Sequence, residues 1–153
     1  MDKIIVKTQL SEGARLPVYG SSQAAGADLC ACLGNGASLV LEPHKWAMVP
    51  TGVRISLPVG FEAQVRPRSG LAAKFGITVL NTPGTVDSDY RGELKVILIN
   101  HSDNPFTIQD GDRIAQMVIS RHETTQFELC QSLDETQRGE GGFGSTGIKE
   151  IKG

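Results

Sequence analysis

WAMVPTGVRISLPVGFEAQVR, the stretch from Trp46 to Arg66, decides the architecture. It contains three short apolar or β-branched runs, Trp46–Val49, Val53–Leu57 and Phe61–Arg66, with Pro58-Val59-Gly60 between the last two. Short runs broken by Gly, Pro, Asn and Asp read as strands and turns. The same rhythm extends both ways. Lys3–Thr8, Ala27–Cys32 and Ser38–Leu41 precede it, and Ile77–Leu80, Leu94–Asn100, Phe106–Ile108, Arg113–Ser120 and Phe127–Leu129 follow. Gly34-Asn35-Gly36, Glu42-Pro43, Asp103-Asn104-Pro105 and Asp110-Gly111 punctuate them. The pattern predicts an all-β sandwich or barrel. One helix is expected, Ser69–Phe75, closed by Gly76 and too short to stand without packing.

The 153 residues suit one domain with a real core. Hydrophobic residues are 39% and aromatics 5%, so that core is expected to be aliphatic. A net charge of -2 supplies no basic field for a nucleic-acid polymer, although a local cluster still suits a small anion. Cys30 and Cys32 sit two apart on one strand face and pair poorly. With Cys130 they make an odd set, expected as free thiols in a reducing, cytoplasmic setting. His44, His101 and His122 are scattered and supply no metal-ligand spacing. The first nine residues lack the core of a signal peptide, and no apolar run approaches a membrane span.

Four segments carry polar chemistry. In Arg66-Pro67-Arg68-Ser69-Gly70-Leu71-Ala72, a strand end meets the helix. Ser69 reads either as an N-cap or, with Arg68 and Gly70, as a phosphate ligand. Asn81-Thr82-Pro83-Gly84-Thr85-Val86-Asp87-Ser88-Asp89-Tyr90-Arg91-Gly92 reads as a long hairpin with special backbone geometry at Gly84 and Gly92. Asp87 and Asp89 either bond local N–H groups, or the segment forms a pocket for a flat heterocycle with Asp87 and Tyr90 beside it. In Gly111-Asp112-Arg113-Ile114-Ala115-Gln116-Met117, strand alternation places Gln116 on a face with Ile114 and Val118, where its amide needs partners. Arg138-Gly139-Glu140-Gly141-Gly142-Phe143-Gly144-Ser145-Thr146-Gly147 is either a loose tail or a phosphate cradle with a stacking ring. It is not a Walker loop, since no Gly-Lys-Ser/Thr ends it.

Together with Ala25-Gly26-Ala27-Asp28-Leu29-Cys30-Ala31, these segments resemble the five ordered motifs of the trimeric dUTPases. The resemblance spans essentially the whole chain; Gln23, where the family commonly has glycine, is a mild departure. It implies a jelly-roll-like distorted barrel or sandwich over residues 1–137 and a flexible arm, 138–153, completing a neighbour's site in a homotrimer. It implies hydrolysis of dUTP to dUMP and pyrophosphate, which limits uracil incorporation into DNA and supplies dUMP for thymidylate synthesis. Asp87 is the implied general base. Asn81, Gly84, Thr85, Val86 and Lys95 are implied nucleoside contacts, with Tyr90 against the deoxyribose. Arg68, Ser69, Gly70 and Gln116 are implied at the phosphates. Arg138, Phe143, Gly144 and Ser145 are implied in the closing arm. Mg²⁺ is expected on the substrate phosphates, with Asp28 reaching it through water. The rivals are a dCTP deaminase-like enzyme and a catalytically silent nucleotide-sensing trimer.

Overall fold

A computed structural model describes residues 3–151. The strands are β1 (Lys7–Leu10), β2 (Val18–Tyr19), β3 (Ala27–Cys30), β4 (Ser38–Leu41), β5 (Trp46–Ser56) and β6 (Phe61–Arg66). The helix α1 (Ser69–Phe75) follows, then β7 (Ile77–Val79), β8 (Gly84–Val86), β9 (Leu94–Asn100), β10 (Phe106–Gln109) and β11 (Arg113–Arg121). They form a four-stranded sheet ordered β1-β5-β9-β7, a five-stranded sheet ordered β2-β3-β11-β6-β8, and the pair β10-β4. The all-β expectation holds, in sheets that do not close into a barrel.

Strand alternation builds the core. In β6, Phe61, Ala63 and Val65 point inward while Glu62, Gln64 and Arg66 face out. In β9, Leu94, Val96 and Leu98 do the same. The largest fully buried side chains include Leu29, Leu41, Ile77, Leu98, Ile108 and Ile114, so the interior is aliphatic as composition suggested. Burying each such side chain contributes about 1.5–3 kcal/mol. Asn100 and Thr51 are the fully buried polar residues among the described ones, and Asn100 is bonded throughout. Its Nδ2 donates to the Leu41 and Asn104 carbonyls at 2.9 and 2.8 Å, and its Oδ1 accepts from Ser102 N and Oγ.

Several local readings change. The runs at Trp46 and Val53 are one strand, β5, whose register against β9 slips between Pro50 and Val53. Gly52 makes the slip possible: its φ is +68°, and a Cβ there would lie 2.6 Å from the Ala14 Cβ. Thr51, buried at the slip, donates Oγ1–H to the Leu94 carbonyl at 2.5 Å. The first strand starts at Lys7 rather than Lys3, and the third ends at Cys30. Phe127–Leu129 forms no strand; both apolar side chains are fully exposed. No described edge of the same chain pairs with it.

Arg68, in extended conformation, is the N-cap of α1 and makes no side-chain cap bond, so Ser69 is the first helical residue and not the cap. Gly76 closes the helix as read, at φ 66°. Phe75 packs its ring 5.1 Å from that of Phe106, which fixes the short helix to β10. All three cysteines are free. Among the described residues, no helix is long and apolar enough to cross a membrane.

Candidate active site

A cavity of about 640 Å³ opens where the two larger sheets part. Asn81, Gly84, Thr85, Val86, Asp87, Tyr90 and Lys95 all line it. The segment from Asn81 is not a plain hairpin. Its flanking strands β7 and β9 do pair, Ile77 opposite Asn100, but the intervening β8 crosses over to pair with β6. β8 is thereby the edge of the five-stranded sheet. An edge strand leaves a row of N–H and C=O groups unpaired on its outer side. Those groups can match the acceptor–donor–acceptor edge of a base.

Gly84 and Gly92 do not take positive φ, and what sets them apart is close approach. Gly84 is a buried strand residue with the Asn81 amide lying over it; a Cβ would meet Asn81 Nδ2 at 3.3 Å. Gly92 is required by close approach. The Tyr90 ring folds across it, and an added Cβ would lie 2.3 Å from the phenol oxygen. That phenol donates to the Glu93 carbonyl at 2.9 Å. Thr82-Pro83 is a cis peptide.

Asp87 is exposed and lines the cavity. Its main-chain carbonyl accepts from Tyr90 N at 3.2 Å, closing the turn. Among the described residues its carboxylate accepts no hydrogen bond, so the turn is held by backbone and the side chain is left for other work.

The second group lies on the outer face of the five-stranded sheet. Asp28 is clamped between two guanidiniums: Arg68 Nε is 3.2 Å from Oδ1 and Arg113 Nη1 is 3.1 Å from Oδ2. Gln116 stands opposite Asp28 in the β11–β3 register, and its Nε2 donates to the Pro67 carbonyl at 3.0 Å. The pairing slips between Arg113 and Ala115, so Ile114 and Ala115 are both buried. Gln116 therefore shares its outward face with Val118 but not with Ile114, which corrects the simple alternation. Burial pushes the neighbouring Cys30 thiol up, partly offset by the Arg15 charge. Ser69 and Gly70 are exposed beside this cluster.

Arg68, Asp28 and Gln116 do not line the 640 Å³ cavity. Neither do Arg138, Phe143, Gly144 and Ser145. In the arm, Arg138 Nε donates to the Gly141 carbonyl at 2.7 Å, and Ser145 N donates to the Gly142 carbonyl at 3.0 Å. Phe143 is fully exposed. Met48 and Arg54, both from β5, line the cavity without having been foreseen. Only the β5–β9 pairing brings them there, and no local motif marks them. Arg113 was quoted within a motif, but its grip on Asp28 was not read.

Among the described residues, no three His, Cys, Asp or Glu side chains converge as a metal cage. The one carboxylate in the arginine cluster, Asp28, already has both oxygens in ion pairs. A hard ion that keeps its waters, as magnesium does, would need from this cluster only an outer contact through water to Asp28.

A polar-rimmed cavity beside a free sheet edge, with an arginine-rich face elsewhere on the same domain, defines a binder of small anionic ligands. The family is set by the comparisons. The dUTPase family model matches residues 12–147. A deoxyuridine 5'-triphosphate nucleotidohydrolase of Maricaulis maris (strain MCS10) is 55% identical over 138 residues, 90% of this chain and 91% of that one. The protein of the same name from Orientia tsutsugamushi (strain Boryong) is 52% identical over 141 residues, 92% and 94% of the two chains. The solved dUTPase of Staphylococcus bacteriophage 80alpha, with dUPNHPP, superposes with a TM-score of 0.84 at 27% identity, covering 94% of this chain and 99% of its own. The chain belongs to the dUTPase family.

Proposed function

We propose that this chain hydrolyses dUTP to dUMP and pyrophosphate by attack of water on the α-phosphorus. The observation that carries this reading is the convergence of Asn81, Gly84, Thr85, Val86, Asp87, Tyr90 and Lys95 on one cavity beside an unpaired strand edge. The outer edge of β8 pairs with uracil through its main chain. Cytosine presents a reversed pattern and leaves those groups unsatisfied, which costs binding. Thymine is refused by its extra methyl. Tyr90, braced on Glu93 and folded over Gly92, lies against the deoxyribose and crowds out a 2′-hydroxyl.

Asp87 is the general base. Its carboxylate accepts the proton from the attacking water. The water's oxygen forms the new bond to phosphorus as the bond to the bridging oxygen breaks, and pyrophosphate leaves. Most of the acceleration comes from positioning and charge neutralisation. Arg68, Ser69 and Gly70 hold the phosphates, supported by Gln116. Asp28 would reach a magnesium ion through water, and that ion would supply further charge neutralisation at the phosphates.

One triphosphate needs both the cavity and the arginine face, and in one chain these are separate. That separation supports a homotrimer in which a neighbour's Arg68 group meets the cavity. The arm, residues 138–153, then closes from another copy, with Phe143 over the uracil, Arg138 on the γ-phosphate, and Gly144 and Ser145 lending main-chain and hydroxyl groups. The free cysteines support a reducing, cytoplasmic site of action.

The test is pyrophosphate release across dUTP, dTTP, dCTP and UTP, with and without Mg²⁺, alongside ammonia release from dCTP. Magnesium-dependent release from dUTP alone is expected. Folded protein that leaves dUTP intact overturns the reading, and ammonia from dCTP replaces it with a deaminase.

A further inference from the structure

Outside the residues already given a role, the outer face of the five-stranded sheet carries one more organised cation. Arg66 ends β6, and its Cα is paired with that of Gln116 on β11, which in turn is paired with Asp28 on β3. Asp28, Gln116 and Arg66 thus form one row across three strands. Cross-strand partners on one face have Cβ atoms about 5 Å apart, so their side chains are immediate neighbours. Arg68 lies two residues beyond Arg66 along extended chain and points to the same side.

The Arg66 guanidinium is held in place. Its Nε and Nη2 donate to Gln64 Oε1 at 3.2 and 2.7 Å. Gln64 is itself fixed, its Nε2 donating to Glu62 Oε1. Glu62 and Gln64 are half-buried, whereas Arg66 is exposed. Among the described residues, Nη1 of Arg66 donates to nothing. The two oxygens of Asp28 go to Arg68 and Arg113, and the Glu62 carboxylate on the Arg66 strand is reached only through Gln64. Among the described residues Arg66 therefore makes no ion pair, and it is oriented through a neutral amide. A guanidinium held this way loses less side-chain freedom when it binds phosphate.

We propose that Arg66 is a further anion-binding residue of the phosphate half-site, contacting the phosphate chain of the substrate alongside Arg68, with Gln64 as its positioning residue. This rests on the dUTP reading for the identity of the ligand. The chemistry recognised is a polyphosphate.

The test is calorimetric titration of the whole protein with inorganic tripolyphosphate and, separately, with deoxyuridine. Alongside it, steady-state dUTP hydrolysis is measured for the parent, Arg66→Gln, Arg66→Lys and Gln64→Leu. Arg66→Gln is expected to bind tripolyphosphate about tenfold more weakly, the scale of one charge-assisted hydrogen bond, and to raise KM for dUTP similarly. Arg66→Lys recovers part of the loss, Gln64→Leu gives a smaller loss, and deoxyuridine binding stays at the parent value. A purely structural Arg66 would lower the melting temperature without moving tripolyphosphate affinity, and that result overturns the proposal. Hydrolysis of dUTP by the parent with an indistinguishable Arg66→Gln sinks the Arg66 role alone. Arg66-dependent tripolyphosphate binding by a parent that leaves dUTP intact sinks only the dUTP reading.

Discussion

Arg68 Nε stands 3.2 Å from Asp28 Oδ1, and the partner oxygen of that carboxylate is held by Arg113. One acidic side chain on β3 thereby sets the direction of a guanidinium at the start of α1, on the far side of β11. Asp28→Asn removes the charge and leaves two arginines repelling one another. The side chains of Arg68 and Arg113 are 28% and 57% exposed, so solvent screens much of the pair and the stability loss is held to about 1 kcal/mol. The larger effect falls on function: half-maximal activity moves to higher Mg²⁺. Urea unfolding and a magnesium titration of pyrophosphate release check the two parts. An unmoved magnesium midpoint removes Asp28 from the metal's surroundings.

Asp87→Asn keeps the size of the side chain and discards its basicity. Turnover is expected to fall by roughly 10²–10⁴-fold, the usual contribution of a positioned base. Binding of dUTP, followed by calorimetry, is expected to stay close to that of the parent. Because the Asp87 turn is closed through its main-chain carbonyl, the substitution leaves the local fold intact. Near-parental turnover would reassign the base.

Tyr90 is held over Gly92 by its bond to the Glu93 carbonyl. Tyr90→Ala opens the sugar side of the cavity and is expected to raise UTP use relative to dUTP by about tenfold, on the scale of one lost steric and packing contact. Tyr90→Phe keeps the ring and loses only the hydrogen bond, so its discrimination falls between the two. Competition kinetics with both nucleotides decides this, and an unchanged ratio in Tyr90→Ala refutes the gate.

Truncation after Gln137 removes a segment none of whose described residues belongs to the buried core. The melting temperature is expected to stay within a few degrees, since a loss of 1 kcal/mol shifts it by only ~2–4 °C for a domain of about this size. Turnover is expected to drop by about 10²-fold or more, because closure aligns the phosphate chain. Full activity in the folded, truncated protein would end the closing-arm reading.

Much of the fold was legible because its signals are local. The alternation of Phe61, Ala63 and Val65, and the Gly76 stop after Phe75, are read directly from residue type and spacing. The cavity residues from Asn81 to Tyr90 were legible as a group because they lie on one short segment. What escaped is set by pairing partners far along the chain. β8 reads as part of a hairpin until β6 claims it for the other sheet. Met48 and Arg54 join the cavity only through β9. Arg66 looks like a strand-end charge until Gln64 and Gln116 are seen beside it. Phe127 and Leu129 have strand composition, but composition supplies no edge to pair with.

The irregularity between Arg113 and Ala115 also ties two otherwise independent designs together. Ahead of it, β11 meets β3 in one phase; after it, Gln116 faces Asp28 on one side and Arg66 on the other. The unmatched residue there, Ile114, is itself buried, so deleting it would cost the interior a side chain and shift the strand ahead of Gln116 against β3. Residue count and residue identity in that short stretch are therefore constrained together, and an engineered loop graft nearby would have to conserve both chain length and the buried side chain.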